Sequence, residues 1–143
     1  MVLPRKGLLA IAAVIDIALH GRGRPVSTKE LAIRHALPAR HLEPVLQALV
    51  RDGILKGVRG PHGGYELGRE RRRISADDIL RAAGTIENED RASSGGSAVL
   101  SDVVLPAMAN AQRAFSAALG RITIEELARK AEPLKAATTA PES

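Results

Sequence analysis

Apolar residues recur along the first part of the chain with the spacing of helices that bury one face. From Lys6 to His20 they cover most of the helix circumference, so we expect a first helix that is largely buried. Ser27 to Glu30 has the S-x-x-E form of a capping box and predicts a short second helix that ends near His35. A third helix is predicted to about Arg51, and its apolar stripe consists of Leu42, Val45, Leu46, Leu49 and Val50.

Two short apolar runs with a glycine-rich loop between them follow the third helix. Residues 54–58 and 65–67 predict two strands, and the three glycines of the loop permit positive φ. Two helices joined by a tight turn and followed by a hairpin form a winged helix-turn-helix. We therefore predict a mainly α-helical fold with a small β-hairpin wing, and a DNA-binding domain over residues 1–83.

The second half of the chain predicts a separate helical segment. A capped helix starts at Ser75, and the loop at 84–97 is expected to be flexible because it is rich in Ser, Gly and charge. A long helix and a final short helix are predicted within 98–131. The remainder, 132–143, is Ala-, Thr- and Pro-rich and is expected to be a disordered tail.

Small apolar residues recur along the long helix at alternating spacings of three and four. Such a seam lets two helices approach closely, and a single-domain chain offers no obvious internal partner for it. We therefore predict that two copies of the chain pair through this seam. The residues with this spacing are Leu100, Val104, Ala107, Ala111, Ala114 and Ala118, and Met108, Phe115 and Leu119 flank them. The predicted pairing seam is Leu100, Val104, Ala107, Met108, Ala111, Phe115 and Ala118.

Two prolines conflict with the helical pattern. Pro44 lies inside the third helix, so either the regular helix begins late or it is kinked there. Pro106 lies inside the long helix and fits a first-turn position if the regular helix begins late. The sequence leaves both choices open.

Composition narrows the classes of function. The 143 residues include no cysteine, which excludes disulfides, thiolate metal sites and cysteine nucleophiles. The longest apolar stretch, Leu8 to Leu19, contains Asp16 and is too short to span a bilayer, so we expect a cytoplasmic protein without a membrane partner. The four histidines show no metal-ligand spacing, and catalytic motifs are absent. We therefore expect no metal, no cofactor and no enzymatic activity.

The charge is divided unevenly along the chain. Residues 1–73 contain 14 Lys and Arg against 6 Asp and Glu, a net of +8, whereas 74–143 contain 7 against 10, a net of −3. A basic half joined to a mildly acidic half indicates a polyanion-binding module attached to a different one. Basic residues that only solubilise a surface would give the same count.

Four short segments together resemble one family of regulators. They are Leu42-Glu43, the wing sequence VRGPHGGY at Val58 to Tyr65, Leu67-Gly68, and ITIEEL at Ile122 to Leu127. Over residues 1–131 the chain resembles the IscR-type winged-helix regulators of bacteria, the Rrf2 family. The resemblance implies a homodimer joined through the long fifth helix on an inverted-repeat operator. It also implies that the third helix enters the major groove and the wing the neighbouring minor groove.

The resemblance fails at one functional feature. Members of the family often hold an iron–sulfur cluster through three cysteines in the loop before the dimer helix. Here residues 90–97 of that loop read DRASSGGS, so thiolate ligation is impossible. Cluster sensing is therefore not carried over, and the signal, whether a small molecule or a protein partner, stays open.

The predicted DNA contacts fall into three groups. Arg59, at a glycine-flanked hairpin tip, can enter a narrow A·T-rich minor groove, and the neighbouring glycines can bring backbone near phosphate. The third helix exposes side chains that suit base edges, and the start of the second helix suits phosphate. The minor-groove group is Arg59, Gly60, His62 and Gly63; the base-edge group is Arg40, His41, Glu43 and Gln47; the phosphate group is Ser27, Thr28 and Lys29.

These features favour a sequence-specific regulator that binds double-stranded DNA. We expect a repressor, because a small dimer on its operator obstructs polymerase. Two alternatives remain at this point. The winged helix could be a protein-interaction module, or the chain could be a metal or small-molecule sensor with a pocket on the dimer side near residues 75–105.

Overall fold

The computed structural model of the chain describes residues 3–85 and 96–135. Within these ranges a two-stranded antiparallel hairpin and a set of α-helices pack around an aliphatic core. The elements are α1 (Arg5–His20), α2 (Thr28–His35), α3 (Ala39–Arg51), β1 (Leu55–Val58), β2 (Gly64–Leu67), α4 (Ala76–Ala82), α5 (Leu105–Gly120) and α6 (Ile124–Ala131). The predicted mainly helical fold with a hairpin wing is confirmed.

The centre of the core is α1, which packs against α3, α4, α6 and β2. Its small residues Ala10 and Ala13 are buried, so neighbouring helices approach its backbone closely. Leu31 of α2 and Leu46 of α3 are fully buried in the same core as α1. The two helices of the helix-turn-helix are thereby held on one common support.

The turn between α2 and α3 depends on Ala36, which adopts a left-handed conformation with φ of 53°. The following N–H, that of Leu37, donates to the carbonyl of Ala32 at 3.0 Å. This bond satisfies a terminal carbonyl of α2, and Pro38 then precedes α3. The tight turn predicted between the two helices is therefore present.

The hairpin, which we call the wing (residues 55–67), is tied to the start of α2. Its strands pair from Leu55 with Leu67 to Val58 with Gly64. Tyr65 also forms a backbone bridge with Val26, through hydrogen bonds of 2.9 and 2.8 Å. Because Val26 directly precedes the Ser27 cap of α2, this bridge fixes the wing beside the helix-turn-helix.

The C-terminal part of the described chain folds back on α1. Ser75 and Asp78 form a reciprocal capping box at the start of α4, with both bonds at 3.0 Å. The N–H of Ile124 donates to the carbonyl of Ile74, and Ile124 is fully buried in the main core. The short last helix thus belongs to the same packing unit as α1.

Several local expectations need correction. Ser27 caps α2 as predicted, but the carboxylate of Glu30 pairs with Arg24 at 2.9 Å because that guanidinium lies in the preceding turn. Residues Glu132–Leu134 form a 3-10 turn, where the disordered tail was expected to begin. Of the loop expected at 84–97, positions 86–95 lie outside the described residues, as do 136–143 of the tail.

The structure resolves both proline alternatives. Pro44 lies inside α3, on its exposed face, where the lost intrahelical bond is open to water. Pro106 occupies the first turn of α5, directly after a π-helical segment at Leu100–Val104. Since proline lacks an N–H and clashes with the carbonyl four residues before it, the widened π turn gives its ring room.

Candidate nucleic-acid interface

One face of α3 is buried and the other is free for contacts. Leu42, Leu46 and Leu49 are buried in the core, as the apolar stripe predicted. The predicted base-edge residues all lie exposed on the opposite face: Arg40, His41, Glu43 and Gln47. The described chain thus presents a polar helix face with both donors and acceptors.

The tip of the wing exposes Arg59 and His62 on either side of a tight turn. The turn is closed by the N–H of Gly63, which donates to the carbonyl of Gly60 at 2.9 Å. Gly60 has a φ of +117°, a conformation that side-chain-bearing residues rarely adopt, and open space lies where its Cβ would stand. Arg59 is therefore held at an exposed tip by a turn that requires glycine.

Two wing glycines are required by contacts inside the protein. A Cβ on Gly63 would lie 2.2 Å from the carbonyl oxygen of Val58, and one on Gly64 would lie 2.4 Å from that of Val26. From the sequence these glycines were expected to allow close approach of phosphate. In the structure they also allow the wing to fold tightly on itself and against Val26, just before α2.

The start of α2 lies beside the wing. The Ser27 hydroxyl accepts a hydrogen bond from the N–H of Glu30 at 3.1 Å and so is committed to capping the helix. Thr28 is half-buried and Lys29 is exposed. Lys29 and the first-turn N–H groups of α2 therefore form the positively polarised end of the helix, a favourable place for an anion.

A cleft of about 570 Å³ separates the start of α2 and the face of α3 from the wing. Six of the predicted DNA contacts line it: Ser27, Thr28, Gln47, Arg59, Gly60 and Gly63. The other five, Lys29, Arg40, His41, Glu43 and His62, are not among its lining residues and lie exposed elsewhere on these elements. The fold thus brings at least one residue of each predicted group to this cleft.

One polar side chain of this cleft, that of Tyr65, was not among the predicted contacts. Tyr65 lines it, and its phenol oxygen accepts a hydrogen bond from Nε2 of Gln47 at 3.2 Å. The available signal was its place in the wing sequence of a chain with one tyrosine. The hydrogen bond links the wing directly to the exposed face of α3.

A buried charged cluster behind the interface was also missed. Asp16, 4% exposed, accepts hydrogen bonds from Arg34 at 2.9 and 2.7 Å and from Nε2 of His35 at 3.0 Å. Burial by itself raises the pKa of the Asp16 carboxyl, but these hydrogen bonds and the charges of Arg34 and His20 lower it to about 2. The ionised carboxylate therefore anchors α2, and with it the helix-turn-helix, on α1.

The seam of the long helix is exposed over its middle part and packed at its end. Val104, Ala107, Met108 and Ala111 are exposed, whereas Leu100, Phe115 and Ala118 are half-buried. Phe115 packs against Ala76, Leu80 and Leu119. One end of the seam therefore does have an internal partner in α4, while the exposed part has none within the described chain.

Metal and membrane sites can be assessed for the same residues. Among the residues that the structure describes, no group of three or more His, Asp or Glu side chains is placed to hold a metal ion, and the sequence contains no cysteine. The residues present therefore do not fit a thiolate-held iron–sulfur cluster. No helix in residues 3–85 or 96–135 is long and apolar enough to cross a membrane.

Comparison with known proteins identifies the family to which the chain is similar. The family model described as Rrf2, iron-dependent transcriptional regulator, matches residues 3–130. The HTH-type transcriptional regulator IscR of Xenorhabdus nematophila is 31% identical over 142 residues, covering 96% of this chain and 85% of that protein. Other relatives match over 82 residues, and the matched segment spans about half of their length, 47–55%.

Two solved structures have a similar fold. CymR, the global cysteine regulator of B. subtilis, has a TM-score of 0.70 and 29% identity, covering 91% of this chain and 98% of that one. IscR of T. potens has a TM-score of 0.72 and 30% identity, covering 93% and 90%. The matched proteins are transcriptional regulators rather than enzymes, as the sequence predicted. The chain therefore belongs to the Rrf2 family of transcriptional regulators.

Proposed function

We propose that the chain is a homodimeric repressor that binds an inverted-repeat operator in the cytoplasm. In each protomer α3 enters the major groove and the wing enters the adjacent minor groove. The observation that carries this proposal is the cleft between α3 and the wing, which six of the predicted DNA contacts line.

The cleft matches a feature of duplex DNA. A major groove and its neighbouring minor groove are separated by one sugar–phosphate strand, so a protein that reads both must straddle that strand. The cleft lies between the two reading elements and is flanked by the start of α2. Phosphate in the cleft would meet the Thr28 side chain and the first N–H groups of α2, with Lys29 close by on the same turn.

Each reading element has suitable chemistry. Arg59 carries a permanent positive charge into the minor groove, where A·T-rich sequence strengthens the negative potential. On α3, Arg40 suits guanine, Gln47 suits adenine, and Glu43 accepts from the amino group of cytosine. His41 and His62 extend these contacts at the edges of the interface.

The exposed part of the α5 seam supports pairing of two copies. Val104, Ala107, Met108 and Ala111 form an apolar surface of mostly small side chains, which suits a close helix–helix contact. A symmetric dimer places two α3 helices on one face of DNA, which explains a palindromic site. A dimer bound at its operator would block the access of RNA polymerase, and we therefore propose that it represses transcription.

We further propose that control does not come from an iron–sulfur cluster. The family description names iron, but this sequence provides no thiolate to hold a cluster. A small molecule or a partner protein is then the source of the signal.

Selection from random duplexes tests the proposal. The purified protein should enrich a palindrome with half-sites about one helical turn apart. A dimer that neutralises about eight phosphates should give a log–log salt slope near −7. Arg59→Ala should lose most of the affinity, whereas Arg129→Ala, which removes an exposed charge on α6, should not.

Two results would contradict the proposal. Failure to enrich any sequence, together with a shallow salt slope, would favour a protein-interaction module. Equal losses from Arg59→Ala and Arg129→Ala would show that the binding is a general effect of charge and not of the wing.

A further inference from the structure

Tyr65 connects three parts of the interface. Its backbone bridges Val26 before α2, its strand belongs to the wing, and its phenol oxygen receives the amide N–H of Gln47 on α3. It also lines the cleft in which a sugar–phosphate strand would pass. The phenol therefore lies between a predicted base-reading side chain and the predicted path of the phosphates.

The hydrogen-bonding capacities of these groups differ. A phenol has one proton to donate and also accepts, whereas the carboxamide of Gln47 presents an acceptor oxygen and two donor N–H groups. If the phenol is free to donate, either end of the amide can face it. A phosphate oxygen accepts only, so a phosphate bound to the phenol accepts the one hydrogen bond that the O–H can donate. The phenol can then only accept, and the Nε2 end of Gln47 must face it.

This restriction matters for base recognition. Adenine in the major groove offers an acceptor at N7 and a donor at N6, and glutamine reads both with one N–H and its oxygen. When one N–H of Gln47 donates to Tyr65, the second N–H and Oε1 are held in a single orientation, with the N–H positioned for N7 and the oxygen for N6 of adenine. A carboxamide that is free to flip would also present its oxygen and its N–H in the reverse positions.

We propose that Tyr65 is a positioning residue that couples phosphate binding in the cleft to the orientation of the Gln47 amide, and so to discrimination for adenine. This inference rests on the proposed function, because it requires duplex DNA in the cleft. Tyr65 contacts phosphate and acts on the base only through Gln47.

The test is a double-mutant cycle on the selected operator. Tyr65→Phe keeps the ring and the backbone bridge but removes the hydroxyl. The base pair to be examined is the A·T pair of the operator at which Gln47→Ala most reduces the preference for adenine over the other bases. At that pair, Tyr65→Phe should lower the preference for adenine by about fivefold or more, within the range that one bidentate contact supplies. In the Gln47→Ala background, Tyr65→Phe should cause no further loss of discrimination.

Two further measurements separate positioning from a general structural role. The salt slope should not change in Tyr65→Phe, because no charge is removed. A scan of methylphosphonate substitutions should find one phosphate whose replacement lowers discrimination at the same A·T pair in the wild type but not in Tyr65→Phe. Thermal unfolding of Tyr65→Phe verifies that the variant keeps its fold. If the variant is destabilised, the phosphate scan on the wild-type protein still tests whether a phosphate contact affects discrimination.

The outcomes distinguish this inference from the proposed function. If Gln47→Ala loses discrimination while Tyr65→Phe and every methylphosphonate leave it intact, the positioning role is overturned and the regulator stands. If Tyr65→Phe weakens discrimination equally at the positions read by the wing, the hydroxyl supports the whole wing, which also overturns it. If the wild-type protein selects no operator, the proposed function itself fails.

Discussion

Arg34 on α2 holds Asp16 on α1 through two parallel hydrogen bonds in a place almost closed to water. Nε donates to Oδ2 at 2.9 Å and Nη2 donates to Oδ1 at 2.7 Å, and the two side chains are 8% and 3% exposed. A planar guanidinium and a carboxylate match in this geometry. The pair therefore ties α2 of the helix-turn-helix to α1 in the core.

Replacement of Asp16 with alanine should destabilise the fold strongly, because the guanidinium of Arg34 would stay buried without its partner. Removal of one partner from a buried ion pair costs about 3–5 kcal/mol of unfolding free energy. Urea unfolding measures the loss. Glu125→Ala is the matched control, since Glu125 is 39% exposed in its pair with Arg71 and should cost no more than about 1 kcal/mol. Equal losses in the two variants would disprove the importance of burial.

Stability should also depend on acid pH through Asp16. Burial raises the pKa of this carboxyl, but hydrogen bonds from His35 and Arg34 outweigh burial and lower the pKa from 3.8 to about 2. Because the folded-state pKa lies below the unfolded-state value, the stabilisation is complete above about pH 4 and is lost as the pH falls towards 2. The loss should be about 2 kcal/mol, from about 1.4 kcal/mol for each pKa unit.

The measurement is the difference in unfolding free energy between wild type and Asp16→Asn across this pH range. The asparagine variant carries no carboxyl at this position, so the difference should narrow by the stated amount between about pH 5 and about pH 2. A difference that stays constant would mean that the carboxyl has the same pKa in the folded and unfolded chains.

Gly63→Ala should disrupt the wing, since its Cβ would lie 2.2 Å from the carbonyl oxygen of Val58. Overpacking of this kind costs about 1–3 kcal/mol. The strain falls on a hairpin at the edge of the domain, so we expect fast amide exchange in the wing and weak operator binding. Gly120→Ala is the control because its Cβ would meet nothing within 4 Å. Normal wing exchange and operator binding in Gly63→Ala would show that the turn adapts without loss.

Ala111→Glu should separate the proposed dimer, because it places a charge in the exposed part of the α5 seam. Sedimentation velocity should show a monomer, and affinity for the palindromic operator should fall about a hundredfold or more as the second half-site contact is lost. Ala117→Glu adds the same charge at another exposed position of α5, outside the seam, and should remain dimeric. A dimer that survives Ala111→Glu would place the interface elsewhere.

Much of the fold follows from local patterns. Apolar periodicity and caps predicted α1, α2 and α3 to within one or two residues, because each signal lies within a few positions of the boundary it marks. Two short apolar runs on either side of a glycine-rich loop predicted the hairpin in the same way. The exposed face of α3 followed directly, since a helix that buries one stripe must expose the opposite one.

Local patterns did not reveal side chains whose roles depend on distant partners. Asp16 was only an interruption in an apolar run, because Arg34 and His35 lie 18 and 19 residues further along. Gln47 and Tyr65 are also 18 residues apart and meet only when the wing folds beside α3. The partner of one end of the long helix is also distant in sequence, because Phe115 packs against Ala76 and Leu80 of α4.

By itself, the sequence determined the helices, the hairpin, the polar face of α3, the absence of thiolate ligands and the family resemblance, since these are properties of composition and short-range spacing. Only the tertiary structure decided which residues share a cleft, why Gly63 and Gly64 must be glycine, and what compensates the buried charge of Asp16. The physical reason is that close packing and charge pairing depend on distances in space, which chain spacing leaves undetermined until the helices and the wing have packed together.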